Sequence, residues 1–204
     1  MMRALLRDRS GSSATEFAMV LPLLLILLFG VIDGGRWMWA NNQAEKATQM
    51  GARFAVVSNY VSSAIGQSYL GLCSPPLTQG DPIPADCFSK VTCTSSGCDS
   101  GTFDSAAFTA IYDRMHDHLP QLAQENVTVE YSPSGLGYAG NPYSIYDSDG
   151  NLVHQAADVA PLVTVKLSSL QFQPVVCLIS LCSFPLPSAK TTLSSEDLAG
   201  SQSN

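Results

Sequence analysis

The sequence predicts an α+β protein: a long N-terminal transmembrane and stalk helix, then a small disulfide-stabilised extracytoplasmic head built on an antiparallel sheet. Three observations predict it. Phe17 to Ile32 is a run of 16 residues without a charge. All six cysteines lie beyond that run. Short alternating segments rich in Val and Thr, read as strands, lie in the second half of the chain. In residue numbers the expected division is a basic leader over 1–11, the apolar and stalk helix over 12–60, and the head over 61–204.

The apolar run begins abruptly after MMRALLRDRSGSSATE and is bracketed by Glu16 and Asp33. At about 1.5 Å per residue it reaches roughly 24 Å, short of the roughly 20 residues that a bilayer core wants. Adding Ser12 to Thr15 makes the span sufficient and puts Glu16 near the headgroup boundary. Arg3, Arg7 and Arg9 precede it, so the positive-inside rule leaves the N-terminus cytoplasmic and the rest outside. A cleaved secretory signal would show a small-x-small site after the apolar run. Instead VIDGGRWMWANNQAEKA continues a helical pattern. A plain signal anchor accounts for the run but not for Glu16, since a carboxylate at that depth is costly without a partner.

The order of residues around that acid is distinctive. Gly11, then Ser12-Ser13-Ala14-Thr15, then Glu16 and Phe17 resembles the processing site of type IV prepilins. The stretch ATEFAMVLPLLLILLFGVIDGGR, followed by AEKATQMGARFAV over Ala44 to Val56, is similar to the TadE-like family of minor pseudopilins (TadE/TadF type) of the tight-adherence, Flp-type IVb pilus system. Phe17 stands where Flp-type sites usually have tyrosine. The resemblance covers about the first sixty residues.

It implies a prepilin peptidase that cuts between Gly11 and Ser12, and a Glu16 that pairs with the new amine of a neighbouring subunit. Opposite charges together at low dielectric are far less costly than either alone, and such a pair fixes axial register. Phe17 belongs to the same register contact. The implied partners are the peptidase, other pilins and pseudopilins, the inner-membrane assembly platform and the lipid bilayer. The implied place is the bacterial inner membrane, single-pass with the head periplasmic, or incorporation into the pilus. On this reading the chain is a substrate and not an enzyme. The alternative is a membrane-anchored extracytoplasmic protein whose head binds a ligand or partner.

Within the helix, Pro22 is tolerated in lipid at the cost of a bend. Gly30, Gly34 and Gly35 permit close approach between membrane helices. Trp37 and Trp39 fall where an aromatic belt is expected at the far interface. Beyond them, to about Tyr60, the helix continues with a face of mostly small residues: Ala40, Ala44, Ala47, Gly51 and Phe54. That face suits either the head or sibling helices.

Charge excludes one class of function. Up to Arg53 six Lys/Arg stand against four acids, and beyond it four stand against thirteen. An acidic head without a basic stripe is unsuited to nucleic acid, which needs clustered cations. Cys73, Cys87, Cys93, Cys98, Cys177 and Cys182 are an even set in a polar, loop-rich region, the pattern of disulfides in an oxidising compartment. Proximity favours Cys73–Cys87, Cys93–Cys98 and Cys177–Cys182. A zinc site from Cys93, Cys98, Cys177 and Cys182 is the rival, although structural zinc usually has shorter Cys-x-x-Cys spacings.

In the head, Gly66 to Thr102 reads as a loop from its Gly, Pro and Ser content. Phe103 to Gln124 reads as an amphipathic helix with Phe108, Ile111, Met115, Leu119 and Leu122 on one stripe and Pro120 ending or bending it. Strands are expected at 126–131, 161–167 and 188–194, with a hairpin turn at Asp147-Ser-Asp-Gly-Asn. Asp113, Arg114, His116, Asp117 and His118 cluster on the predicted helix, but no third ligand follows at motif spacing. Asp147, Asp149, Asn151 and Asp158 only partly mimic a calcium loop, with no closing Glu. Neither nucleophile elbow nor phosphate loop occurs. No metal or cofactor is therefore assigned.

Overall fold

A computed structural model describes residues 12–140, 145–146, 152–154, 157–176 and 182–195. Two compact units emerge: 1–40 with 171–185, and 41–170 with 186–204. The fold is α+β.

The first unit is dominated by helix α1, Ser12–Ala55, of which it holds the part up to Ala40. Pro22 lies inside the helix without ending it. From Phe17 to Ile32 the side chains are exposed, Leu23 by 73% and Leu27 by 70%. The same unit contains a small antiparallel hairpin of β7, Gln171–Phe172, and β8, Phe184–Pro185, in the register Phe172↔Phe184.

The second unit is an antiparallel sheet with the end of α1, a second α-helix and a short 3-10 turn at Gln124–Asn126. Its strands are β1 (Val91–Thr94), β2 (Gly97–Cys98), β3 (Val127–Ser132), β6 (Leu162–Leu167) and β9 (Ala189–Ser194), in the order β2-β1-β3-β6-β9. Alternating β-branched residues suit a pleated, half-buried sheet. Val127, Val129 and Tyr131 of β3 and Val163, Val165 and Leu167 of β6 are fully buried. The register pairs Val129 with Val165 and Tyr131 with Val163. Sliding by one residue would turn that whole face outward, so the apolar pattern fixes the pairing. A separate hairpin joins β4 (Ile145–Tyr146) to β5 (Leu152–His154). It is the hairpin expected around Asp147-Ser-Asp-Gly-Asn, whose turn residues lie outside the described residues.

Helix α2, Ser105–His116, is shorter than its sequence pattern. Asp104 caps its start, accepting from the N–H groups of Ala106 and Ala107 at 2.9 and 3.0 Å. The helix ends before Pro120 is reached, and the chain turns with Leu119 and Leu122 still buried. The Tyr112 hydroxyl closes that turn by donating to the Leu122 carbonyl at 3.0 Å.

Two expectations need correction. The 66–102 region is not all loop, because β1 and β2 form a hairpin inside it and β1 pairs along its length with β3. Four alternating residues are too few to stand out among Gly and Ser, and the strand exists because β3 offers it a partner. The helix also stops at Ala55, short of Tyr60. Its last turns are core rather than a free stalk: Ala44, Ala47, Thr48, Ala52 and Ala55 are fully buried. Gly51 marks the closest approach, where an added Cβ would meet Met115 of α2 at 2.6 Å and Val165 of β6 at 3.4 Å. Thr48 and Thr191 of β9 share a hydroxyl hydrogen bond of 2.9 Å.

Candidate assembly helix and its flanking groups

Polar residues open the helix. Ser12 is its first residue, and Gly11 lies outside the described residues. Glu16 follows four positions later, one turn and about 6 Å along the axis. Glu16 and Phe17 are both exposed, Phe17 by 64%. The side chains that follow are uniformly apolar up to Asp33. Around Gly30, Gly34 and Gly35 the space that a Cβ would enter is open. The helix is long and apolar enough to cross a membrane.

Asp33 was legible only as the charge that ends the run. In the structure it is 7% exposed and organises the hairpin of its own unit. Its Oδ1 accepts from the Val175 N–H at 2.8 Å, and its Oδ2 from the Val176 N–H at 2.9 Å. Arg36, one turn on, donates Nη1 to Oδ1 at 2.9 Å. The Arg36 guanidinium also stands 5.4 Å from the Phe172 ring centroid. The one sequence signal for this was the Asp33–Arg36 spacing of three. Nothing local announces backbone partners that arrive from about 140 residues downstream.

The cysteines pair as proximity suggested where they are described. Cys73 bonds Cys87 and Cys93 bonds Cys98. Cys182 is also disulfide-bonded, and Cys177 lies outside the described residues. The Cys93–Cys98 bond removes the zinc alternative, which needed both as thiolates. Cys93 and Cys98 are register partners across β1 and β2, so the bridge clamps a hairpin.

Of the polar groups of α2 and its flank, Asp113, Asp117 and His118 are exposed, while two others pack on aromatic rings. Arg114 lies over the Phe54 ring at 5.6 Å, and His116 packs on Tyr112 at 5.4 Å. Among the described residues no three His, Cys, Asp or Glu side chains are grouped to hold a metal ion. Asp147, Asp149 and Asn151 lie outside the described residues. The Asp158 carboxylate accepts from the N–H groups of Tyr69 and Gly140 at 2.7 and 2.8 Å and from the Ser68 hydroxyl at 3.2 Å. It ties loops of the second unit together.

A family model described as TadE-like protein matches residues 11–53. The N-terminal segment is TadE-like. The TadE-like segment runs from Gly11 to Arg53, taking in the acid, the whole apolar run and the Ala44–Gly51 face that enters the head core. It covers about a fifth of the chain and supports a role related to the Tad pilus. No curated protein and no solved structure matches the chain.

Proposed function

We propose that the chain is a minor pseudopilin that supports assembly of a thin adhesive Flp/Tad pilus. The observation that carries this is the TadE-like match over a helix whose apolar side chains are exposed from Phe17 to Ile32. Such a surface needs lipid or sibling helices to cover it. A prepilin peptidase cuts after Gly11, and the new α-amino group of Ser12 lies one helical turn from the acid at Glu16. Between adjacent subunits the Glu16 carboxylate of one chain meets the Ser12 amine of its neighbour and sets their axial register. The N-terminus is cytoplasmic and the head periplasmic, where its disulfides persist. The chain is processed and assembled with other pilins at an inner-membrane platform, and catalyses nothing itself.

Intact mass of the protein from membranes of a peptidase-positive host tests the first step. A chain beginning at Ser12 is expected, and one retaining residues 1–11 makes the segment a plain anchor. Glu16→Ala is expected to be processed normally and to leave cells without pili. Normal piliation in that variant would remove the register contact.

A further inference from the structure

The first unit carries an apolar cleft that the assembly role does not use. Its walls are Trp37 of α1 with Phe172, Pro174, Val176, Phe184 and Pro185 of the β7–β8 hairpin, and among the described residues its one charged member is Asp33. The cleft is open and holds about 550 Å³. Both Asp33 oxygens are occupied by the N–H groups of Val175 and Val176 and by Arg36. The carboxylate is therefore spent on holding the hairpin against the helix, and what remains facing outward is hydrocarbon. Val176 is 39% exposed and Phe184 52%. Trp37 and Trp39 on the helix are 37% and 58% exposed.

We propose that this cleft is a phospholipid site at the bilayer boundary, with an acyl chain lying along Trp37 and Phe184 and the phosphate near Arg36. The inference rests on the reading of α1 as a membrane span. Two observations select lipid as the occupant. The cleft is continuous with the apolar run, since Asp33 follows Ile32 directly and Trp37 is one turn further on. That is the level at which tryptophans and interfacial apolar side chains sit in a membrane. Charge is also complementary, because the Arg36 side chain stays 47% exposed beside the cleft and phospholipid headgroups carry phosphate. Asp33 is the positioning residue, acting through the backbone of the hairpin.

The test uses the full chain in vesicles of phosphatidylethanolamine and phosphatidylglycerol, with p-benzoylphenylalanine at position 25, 136 or 184. Irradiation is followed by mass spectrometry of the adducts. Position 25 reports the span, and position 136 is an exposed site of the second unit. The expected result is phospholipid adduct at 25 and at 184, in each case several-fold above that at 136. Adduct at 25 with none above the 136 level at 184 overturns the lipid site while leaving the span intact. A chain-to-chain crosslink at 184 in place of lipid also overturns it, by giving the cleft to a second copy. No adduct at 25 overturns the span, and the lipid site with it. Asp33→Ala, which removes the acceptor for Val175 and Val176, is expected to lower adduct at 184 and spare that at 25. Unchanged labelling at 184 would overturn the positioning role.

Discussion

Single residues of the head illustrate how burial and hydrogen bonding act together. Tyr131 is fully buried, and its hydroxyl oxygen accepts from the Val61 N–H at 3.0 Å. Burial pushes its phenol up to about 12, against the opposing pull of that hydrogen bond. An acid raised in the folded state stabilises nothing extra at neutral pH. It costs stability as pH climbs past the unfolded value of about 10. In an alkaline absorbance titration Tyr131 should therefore stay protonated until the fold opens. Tyr131→Phe should cost about 1–3 kcal/mol by stranding the Val61 N–H. Glu130 runs the other way. Burial opposes its charge, but Lys166 at 2.5 Å and Lys90 at 3.1 Å outweigh that and hold its carboxyl below the ordinary range. Its contribution is complete above the unfolded value of about 4.3 and is lost as pH falls through the lower folded value. Urea unfolding in detergent should show Glu130→Gln less stable by about 1–2 kcal/mol at pH 7. The gap should close toward pH 3. The alternation of β3 announced the burial of Tyr131, but neither Val61 as its partner nor the two lysines beside Glu130 could be read locally. Those contacts are 70 and 36–40 residues away in sequence.

At the scale of elements, the C-terminal part of α1 shows what periodicity can and cannot say. A small-residue face was legible, and Ala44, Ala47 and Gly51 lie on it. The buried stripe is rotated toward Thr48, Ala52 and Ala55. Phe54 is only half buried, under the Arg114 guanidinium. The rotation follows from what the helix packs on, namely Met115 of α2 and Val165 of β6, both of which a Cβ at Gly51 would meet. Gly51→Val should destabilise the head by about 1–3 kcal/mol through overpacking against Met115. Met115→Ala in the same chain should return part of that loss in denaturant unfolding, since it vacates the clashing volume. The strands β3, β6 and β9 were legible within a residue because six alternating residues carry a clear period of two. β1, β2, β7 and β8 were not, being two to four residues long and dependent on partners elsewhere in the chain.

For the whole molecule the dominant physical fact is the apolar surface of α1, exposed from Phe17 to Ile32. The chain should sediment with membranes and resist alkaline carbonate extraction. Leu24→Asp combined with Leu27→Asp should cost about 5–7 kcal/mol of insertion and move the protein out of the membrane fraction. Retention of the double variant in carbonate-washed membranes would show that something besides the span holds it there. The TadE-like match ends at Arg53, an exposed residue of the second unit two positions past the buried Gly51. The matched segment therefore supplies both the apolar helix and one layer of the folded domain. Changes near Gly51 should disturb the head without altering membrane fractionation.

The sequence by itself determined the apolar helix, the acid one turn into it and the longer strands, and it favoured by proximity the two cysteine pairings that the structure then made. Each of these is a local matter: hydropathy, spacing or a period of two carries it within a dozen or so residues. Only the tertiary structure decided that the end of the helix is head core, that a two-stranded hairpin hides in the cysteine-rich region, and that Asp33 holds Val175 and Val176. Those depend on backbone donors and packing surfaces brought together from distant parts of the chain. A buried carboxylate takes whichever N–H groups the fold delivers to it, and no residue near Asp33 in sequence encodes which they are.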